Sequence, residues 1–523
     1  MGFALRVNHL GAESLSEDEL NKLQTVEEYR ANGLSAKNGE HPFLMKGLQT
    51  VTLVTAEKLN NFVWPQVQIS NEAALRFPIA LFGTFTTLLI FLLVSELFGR
   101  SIALVSAVLW AVEPMAIGFD RIAKEDSLVL FFFLLTNLFW IHGQTAAERG
   151  KTNWLMFVWA SAASFAALMA SKYYPFLLAI TAGYYSIFQS IPANKWGLGK
   201  VRWIKFFIVS GLAFLILNPT ILLPETWAEM LRFSSESRIG HDSYEFLGTL
   251  YRNQLTLWLA GVPWTFYYVF IAVKTSVLTL ALFLVGLPMM FKKKLGDGRF
   301  FLFFWAFFWF MPFTVMGGKF TRYFTIAEPL VLISAAVGFY YSVKWLSGKF
   351  AEKPVFSAVF QTVMFAALIA LSIFNSVKAA PHFRLFTNSL GGGETAAGSY
   401  FPHDEFYDAS TREIVNEIVG RARPQAAVAC ETPTLFEYYA RQAGRDDLIF
   451  VSLSDRSKVA TLAAGDFIVA ASGRHYFSNT AYLEFLERSS APVAETKIIG
   501  ITSARIYQLD ENTHAGLQAI AKQ

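Results

Sequence analysis

Hydrophobic and polar positions fall into two regimes along this chain. Long apolar runs recur through the middle, at 77–97, 101–118, 127–143, 154–170, 174–190, 205–223, 272–291, 300–316, 327–345 and 356–376. Each is long enough, or nearly so, to cross hydrocarbon as a helix, which takes roughly 20 residues. After residue 377 the pattern changes to short apolar runs at 426–430, 448–452, 467–471 and 497–508, with helical periods at 409–421, 433–443 and 480–489 between them. That alternation predicts a small α/β layer with Rossmann-like character. The expected architecture is a polytopic α-helical membrane protein of about ten spans with a C-terminal soluble α/β domain. Its parts are a first external loop at 1–75, a transmembrane helical bundle at 76–378 carrying an external loop at 224–271, and the α/β domain at 379–523.

The polar segment ahead of the first span has its own punctuation. Ser16-Glu17-Asp18-Glu19 opens a helix expected to run to about Asn32, where Asn32-Gly33 makes a turn. The stretch 46–62 places Leu48, Val51, Leu53, Val54, Leu59 and Phe62 at amphipathic spacing. This suits a helix lying in the membrane interface, with Trp64 at headgroup depth. Gly391-Gly392-Gly393 reads as a flexible joint before the soluble domain.

Charge gives the runs an orientation. Arg100, then Arg149 and Lys151, then Lys195, Lys200, Arg202 and Lys205, then Lys292 to Lys294 and Arg299, then Lys344, Lys349 and Lys353 cluster in alternate short connections, which are therefore cytoplasmic. Alternation puts 1–75, 119–126, 171–173, 224–271, 317–326 and 377–523 on the opposite, extracytoplasmic side. The expected setting is a bacterial inner or plasma membrane. The chain begins Met1-Gly2-Phe3 with about 75 external residues and no span ahead of them to carry them across, so one further N-terminal helix is expected upstream.

Composition agrees with lipid as solvent: 54% of residues are hydrophobic, with 51 Phe and 13 Trp. The net charge of +4 mostly reflects the cytoplasmic loops, so it speaks for contact with anionic lipid and not for nucleic acid binding. The single Cys430 excludes an intramolecular disulfide framework. No Gly-x-Ser-x-Gly elbow or Walker loop is present, which removes the usual signs of serine hydrolysis and nucleotide-driven transport.

Three external constellations could carry chemistry. Glu17-Asp18-Glu19 offers carboxylates suited to general-base work, although acidic residues in a helical first turn behind a Ser N-cap are also ordinary capping chemistry. Asp120 to Asp126 packs five ionisable groups into seven residues, with Arg121 and Asp126 at the membrane edges, placed to meet an anionic headgroup and a polar partner. Lys319-Phe320-Thr321-Arg322-Tyr323 could clamp a phosphate or simply snorkel. His9, His41, His241, His382 and His403 form no i, i+4 pair, so no metal ligand set is read; no tightly bound cofactor is expected, and a divalent ion is left open.

With those residues in view, the chain resembles the GT-C superfamily of polyprenyl-phosphate-sugar-dependent glycosyltransferases. The similar group contains the protein O-mannosyltransferases and the lipid A aminoarabinose transferase. Asp18-Glu19 resembles that group's acidic pair, and Glu40-His41-Pro42-Phe43-Leu44-Met45-Lys46 resembles its His-Pro-Pro-Leu-x-Lys element, with Phe43 at the second proline. Arg76-Phe77-Pro78 with Leu97-Phe98-Gly99-Arg100, Arg121-Ile122-Ala123-Lys124-Glu125-Asp126, and Lys319 to Tyr323 resemble the group's further elements in order. The resemblance implies a GT-C-like bundle and an inverting transfer of a sugar from a polyprenyl-phosphate donor to an extracytoplasmic acceptor, be it a protein hydroxyl, a lipid or a glycan. It implies Asp18 and Glu19 as the catalytic carboxylates and Arg121, Lys319 and Arg322 as the donor phosphate site, with His41, Lys46, Glu125, Asp126 and His241 supporting. The alternative is a transporter or flippase that binds the same lipid without chemistry. Against it, the spans hold few charges, Glu96, Glu113, Lys205, Glu328 and Lys344 near their ends, and show no internal repeat.

Overall fold

The computed structural model describes residues 1–62, 68–189, 197–235, 240–350 and 352–521. Trp64, Lys195 and the 236–239 part of the 224–271 loop lie outside the described residues. Six helices are long and apolar enough to cross a membrane: Asn71–Phe98, Asp126–Glu148, Trp154–Ser171, Gly298–Val315, Glu328–Gly348 and Pro354–Ala379. They make the chain an integral membrane protein.

The other expected spans are helical too, but broken or shortened where the sequence forces it. The 101–118 run is Arg100–Val112 followed by Pro114–Phe119, because Pro114 cannot donate to the preceding turn and Glu113 goes extended. The 272–291 run splits into Phe266–Lys274 and Val277–Met290 at Thr275, which is also extended. Lys200–Leu217 ends at Asn218, ahead of Pro219. Glu113 repairs part of the damage: its carboxylate accepts the Ser276 N–H at 2.7 Å and the Thr279 hydroxyl at 3.0 Å, capping the start of Val277–Met290.

Packing within the bundle uses small residues. A Cβ on Gly286 would collide with the Ser334 carbonyl, and one on Gly338 with the Leu282 carbonyl, so Val277–Met290 and Glu328–Gly348 cross with their backbones in contact. Arg6, on the first short helix, is fully buried and pairs with Asp120 at 2.7 Å, which ties the start of the chain to the 119–126 loop.

The first external helix spans Glu17–Asn32 with a complete capping box between Ser16 and Glu19, and stops at Gly33 with φ +81°. The helix Phe43–Asn60 buries Met45, Leu53 and Ala56 and exposes Val51 and Leu59, leaving an apolar outer stripe. Beyond the bundle, the Gly391–Gly393 stretch is not a loose joint. It forms short 3-10 turns held by Asn388, whose amide donates to the Ala272 and Thr275 carbonyls at 2.7 Å each.

The C-terminal domain is built on a five-stranded mixed sheet. Ala427–Cys430 lies between parallel Ile449–Ser452 and Phe467–Ala471; Ile501–Gln508 then runs antiparallel to Phe467–Ala471, with Ala494–Ile498 at the edge. The expected strand at 497–508 is thus the second arm of a hairpin. Its two-residue loop, Ile499 and Gly500, has positive φ at both positions, as tight hairpins favour. Tyr439 of this domain donates to Glu72 at 2.9 Å and accepts the Leu15 N–H at 2.6 Å, fastening the domain to the base of Asn71–Phe98.

Candidate active site

The segments that alternation assigns to one side of the membrane meet around a single cavity of about 430 Å³. The helix Glu17–Asn32 brings Asp18, Asn21 and Lys22, one face at i, i+3, i+4 spacing. The 120–125 loop brings Lys124, the turn after Trp154–Ser171 brings Lys172, the 317–326 segment brings Arg322, and the stretch before the C-terminal sheet brings Tyr407.

Asp18 is the central anion. Lys124 Nζ lies 2.6 Å from its Oδ2 and Arg322 at 3.9 Å, while the Tyr407 hydroxyl donates to it at 2.9 Å. Burial alone would raise this carboxyl, but Lys124, Arg322 and Lys22 outweigh it and hold the group well below the usual carboxylate range. The cations are backed from behind: Lys22 pairs with Glu125 at 2.9 Å, Lys172 with Asp126 at 2.9 Å, and Arg322 with Asp404 at 3.5 Å. Arg322 also lies over the ring of Phe320, 4.1 Å from its centroid. The backing carboxylates Glu125, Asp126 and Asp404 lie outside the cavity lining, where Lys22, Lys124, Lys172, Arg322 and Arg474 outnumber the carboxylates Glu17, Asp18 and Glu40. Burial lowers Lys124 to about 8, with Asp18 opposing.

His41 lines the cavity 3.8 Å from Glu125; burial and the lysines around it lower it to about 3, so it is neutral at physiological pH. His241 sits at the opposite rim, stacked on Tyr476 at 4.1 Å between ring centroids, with Glu17 and Arg474 at hand. Asp126 and Glu125 act through Lys172 and Lys22, not on the cavity directly.

Four expected site residues are placed elsewhere. Glu19 is fully buried and its carboxylate is consumed: it accepts Arg76 at 2.8 and 2.7 Å, the Ser16 N–H at 2.9 Å and the Ala123 N–H at 2.7 Å. Arg121 does not line the cavity and donates to the carbonyls of Leu5, Arg6, Asn8 and His9 at and just past the end of the first helix. Lys319 gives its ammonium to the carbonyls of Val262 and Met316. Lys46 donates to the carbonyls of Asn38 at 2.7 Å and His41 at 2.9 Å, shaping the turn that carries His41; burial lowers it to about 7.

Lys22, Lys124, Lys172 and Tyr407 were not singled out from sequence. For Lys22 a signal existed, its position one turn after Asp18; for Tyr407, 389 residues away, none did. Among the described residues no group of three or more His, Cys, Asp or Glu side chains could hold a metal ion.

Comparison with known proteins bears on the fold. Residues 65–223 match the family model described as dolichyl-phosphate-mannose-protein mannosyltransferase. YkcB of Bacillus subtilis (strain 168), which carries the name of a candidate mannosyltransferase, is 30% identical over 139 residues, 24% of this chain. The chain spans only 18% of that relative's length. ArnT from Cupriavidus metallidurans superposes over nearly the whole chain. Its apo structure gives a TM-score of 0.52 at 13% identity, covering 97% of this chain and 95% of that one. The structure bound to undecaprenyl phosphate gives 0.50 at 14% identity, covering 97% and 96%. Over nearly its whole length the chain has the fold of ArnT, and its 65–223 segment matches the mannosyltransferase family model.

Proposed function

We propose that the cavity transfers a sugar from a polyprenyl-phosphate-linked donor to a hydroxyl of an extracytoplasmic acceptor, with inversion and with Asp18 as the base. The observation that carries the reading is the Asp18 carboxylate, in contact with Lys124, Arg322 and Tyr407 in a cavity that Lys22 and Lys172 also line. The family name attached to residues 65–223 and the lipid phosphate bound by ArnT agree with it.

In this reading the cations take the donor phosphate, where negative charge grows as the glycosidic bond breaks. Phosphate drawing Lys124 and Arg322 toward itself also loosens their hold on Asp18, so the carboxylate becomes a stronger base only when donor is bound. Glu19 has the separate task of locking Arg76 and the helix start beneath Asp18. Arg121 and Lys319 hold loops and do not touch the phosphate.

The test is purified protein in proteoliposomes with a panel of radiolabelled polyprenyl-phosphate sugars, including the mannose conjugate. Label leaving the organic phase with the intact protein, and a drop on the order of 10² or more in Asp18→Asn and in Arg322→Ala, is the expected result. Label that only changes leaflet and never leaves the lipid would favour carriage without chemistry. Near-normal transfer in both variants would dispose of the site.

A further inference from the structure

The contacts on Asp18 are one-sided. Lys124, Tyr407 and Arg322 all approach Oδ2. Among the described residues none forms a hydrogen bond to Oδ1, yet Oδ1 is not one of the buried polar atoms left without a partner. Asp18 lines the cavity with 38% of its side chain accessible, and Oδ1 is the oxygen left free of a hydrogen bond there.

Tyr407 reaches Asp18 from an uncommon backbone. It follows the short helix Pro402–Phe406 in the left-handed region at φ +46° and ψ +46°, and Asp408 follows at φ +61°. Two consecutive side-chain-bearing residues there are disfavoured, so the surroundings must hold them. They do: the Asp408 carboxylate accepts the Glu17 N–H at 3.2 Å and is gripped by the Arg474 guanidinium, and the Ala409 carbonyl accepts the Ser14 N–H at 2.9 Å. The Tyr407 ring sits with the guanidinium of Arg384 at 5.1 Å and that of Arg322 at 5.8 Å. The turn therefore grips the start of the helix that bears Asp18 and presents one phenol to its carboxylate.

We propose that Tyr407 is a positioning residue for the transfer: its hydroxyl fixes Oδ2 so that Oδ1 is aimed at the acceptor hydroxyl. The proposal rests on the reading of Asp18 as base. In the step, the acceptor oxygen bonds to the anomeric carbon while its proton passes to Oδ1. The bond from that carbon to the phosphate oxygen breaks and its electron pair leaves on the phosphate. Tyr407 keeps its own proton throughout.

Tyr407→Phe keeps the ring between Arg322 and Arg384 and removes only the hydroxyl. In proteoliposomes with the radiolabelled polyprenyl-phosphate sugar that the intact protein turns over, it should lower kcat about tenfold and leave donor KM within about twofold. In an Asp18→Asn background the same change should cost less than about twofold, because the hydroxyl acts through the carboxylate. Full activity in Tyr407→Phe, or the same loss in both backgrounds, overturns the proposal. A cryo-EM map of Tyr407→Phe decides it independently of turnover: the Asp18 carboxylate should rotate away from its cavity-facing setting, and an unmoved carboxylate overturns it. Absence of turnover with every donor would count against the function, while the map still judges the positioning.

Discussion

At the scale of single residues, Asp18 and Glu19 are neighbours with opposite fates. Helical phase turns Asp18 to the cavity and Glu19 to the core, where it faces Arg76 at 2.7 Å with both partners almost wholly buried. Glu19→Gln would leave the Arg76 guanidinium buried without its counter-charge, a loss of about 3–5 kcal/mol. We expect a clear drop in melting temperature in detergent, with turnover per folded molecule within about threefold. An unchanged melting temperature with lost turnover would return Glu19 to the chemistry. Sequence made the acidic pair visible but not the division of labour, because the capping box and the base reading use the same residues. The partners of Arg121 and Lys319 were not legible for a related reason: a cation in an external loop serves a phosphate or a set of carbonyl oxygens equally well, and only the fold says which is near. Arg121 meets four carbonyls and Lys319 two.

At the scale of elements, the helix Glu17–Asn32 is the part on which the site is hung. Its boundaries were legible, since Ser16, Glu19 and Gly33 are local signals that tertiary context did not override. It is pinned at its first turn by Asp408 and Tyr407 and one turn further by Lys22 to Glu125. Replacing Lys22 by Met would remove the ion-pair partner 2.9 Å from Glu125, leaving the neutral His41 at 3.8 Å and only the longer-range charges of Lys124 and Lys172. The cost is about 3–5 kcal/mol, read as a lower melting temperature, together with weaker binding of undecaprenyl phosphate. A Lys22→Met protein with unchanged melting and lipid affinity would contradict this account of the helix. The breaks at Glu113 and Thr275 were less legible. Apolar runs carry no mark of a kink where hydropathy continues, and even Pro114 gives the place of a break but not its direction. The edge hairpin was missed because Ile499 takes a left-handed position that turn statistics give to Asn or Gly.

At the scale of the whole molecule, six stretches far apart in sequence converge on one cationic cavity, and the C-terminal segment supplies part of its wall through Tyr407, His403 and Arg474. Order along the chain and the alternation of basic loops made the gathering of these stretches foreseeable; which side chains face the hollow was not, because that depends on helix rotation and on which carbonyls need donors. Lys124, lowered to about 8, gives the assembled site a pH dependence with a definite sign. As pH rises through about 8 the site loses a cation, while a monoester phosphate, with its second pKa near 6, is already fully charged. Affinity for undecaprenyl phosphate should therefore weaken by up to about tenfold between pH 8 and 9 and vary little between pH 7 and 7.5. Constant affinity up to pH 9 would mean that Lys124 does not meet the phosphate.

The most direct test of the shared chamber is a cryo-EM structure of the protein in nanodiscs with undecaprenyl phosphate. The account predicts phosphate density within hydrogen-bonding distance of Lys124 and Arg322, above Asp18 and beside Lys172. Density seated against Arg121 or Lys319, or anywhere that shares no wall with Asp18, would contradict it.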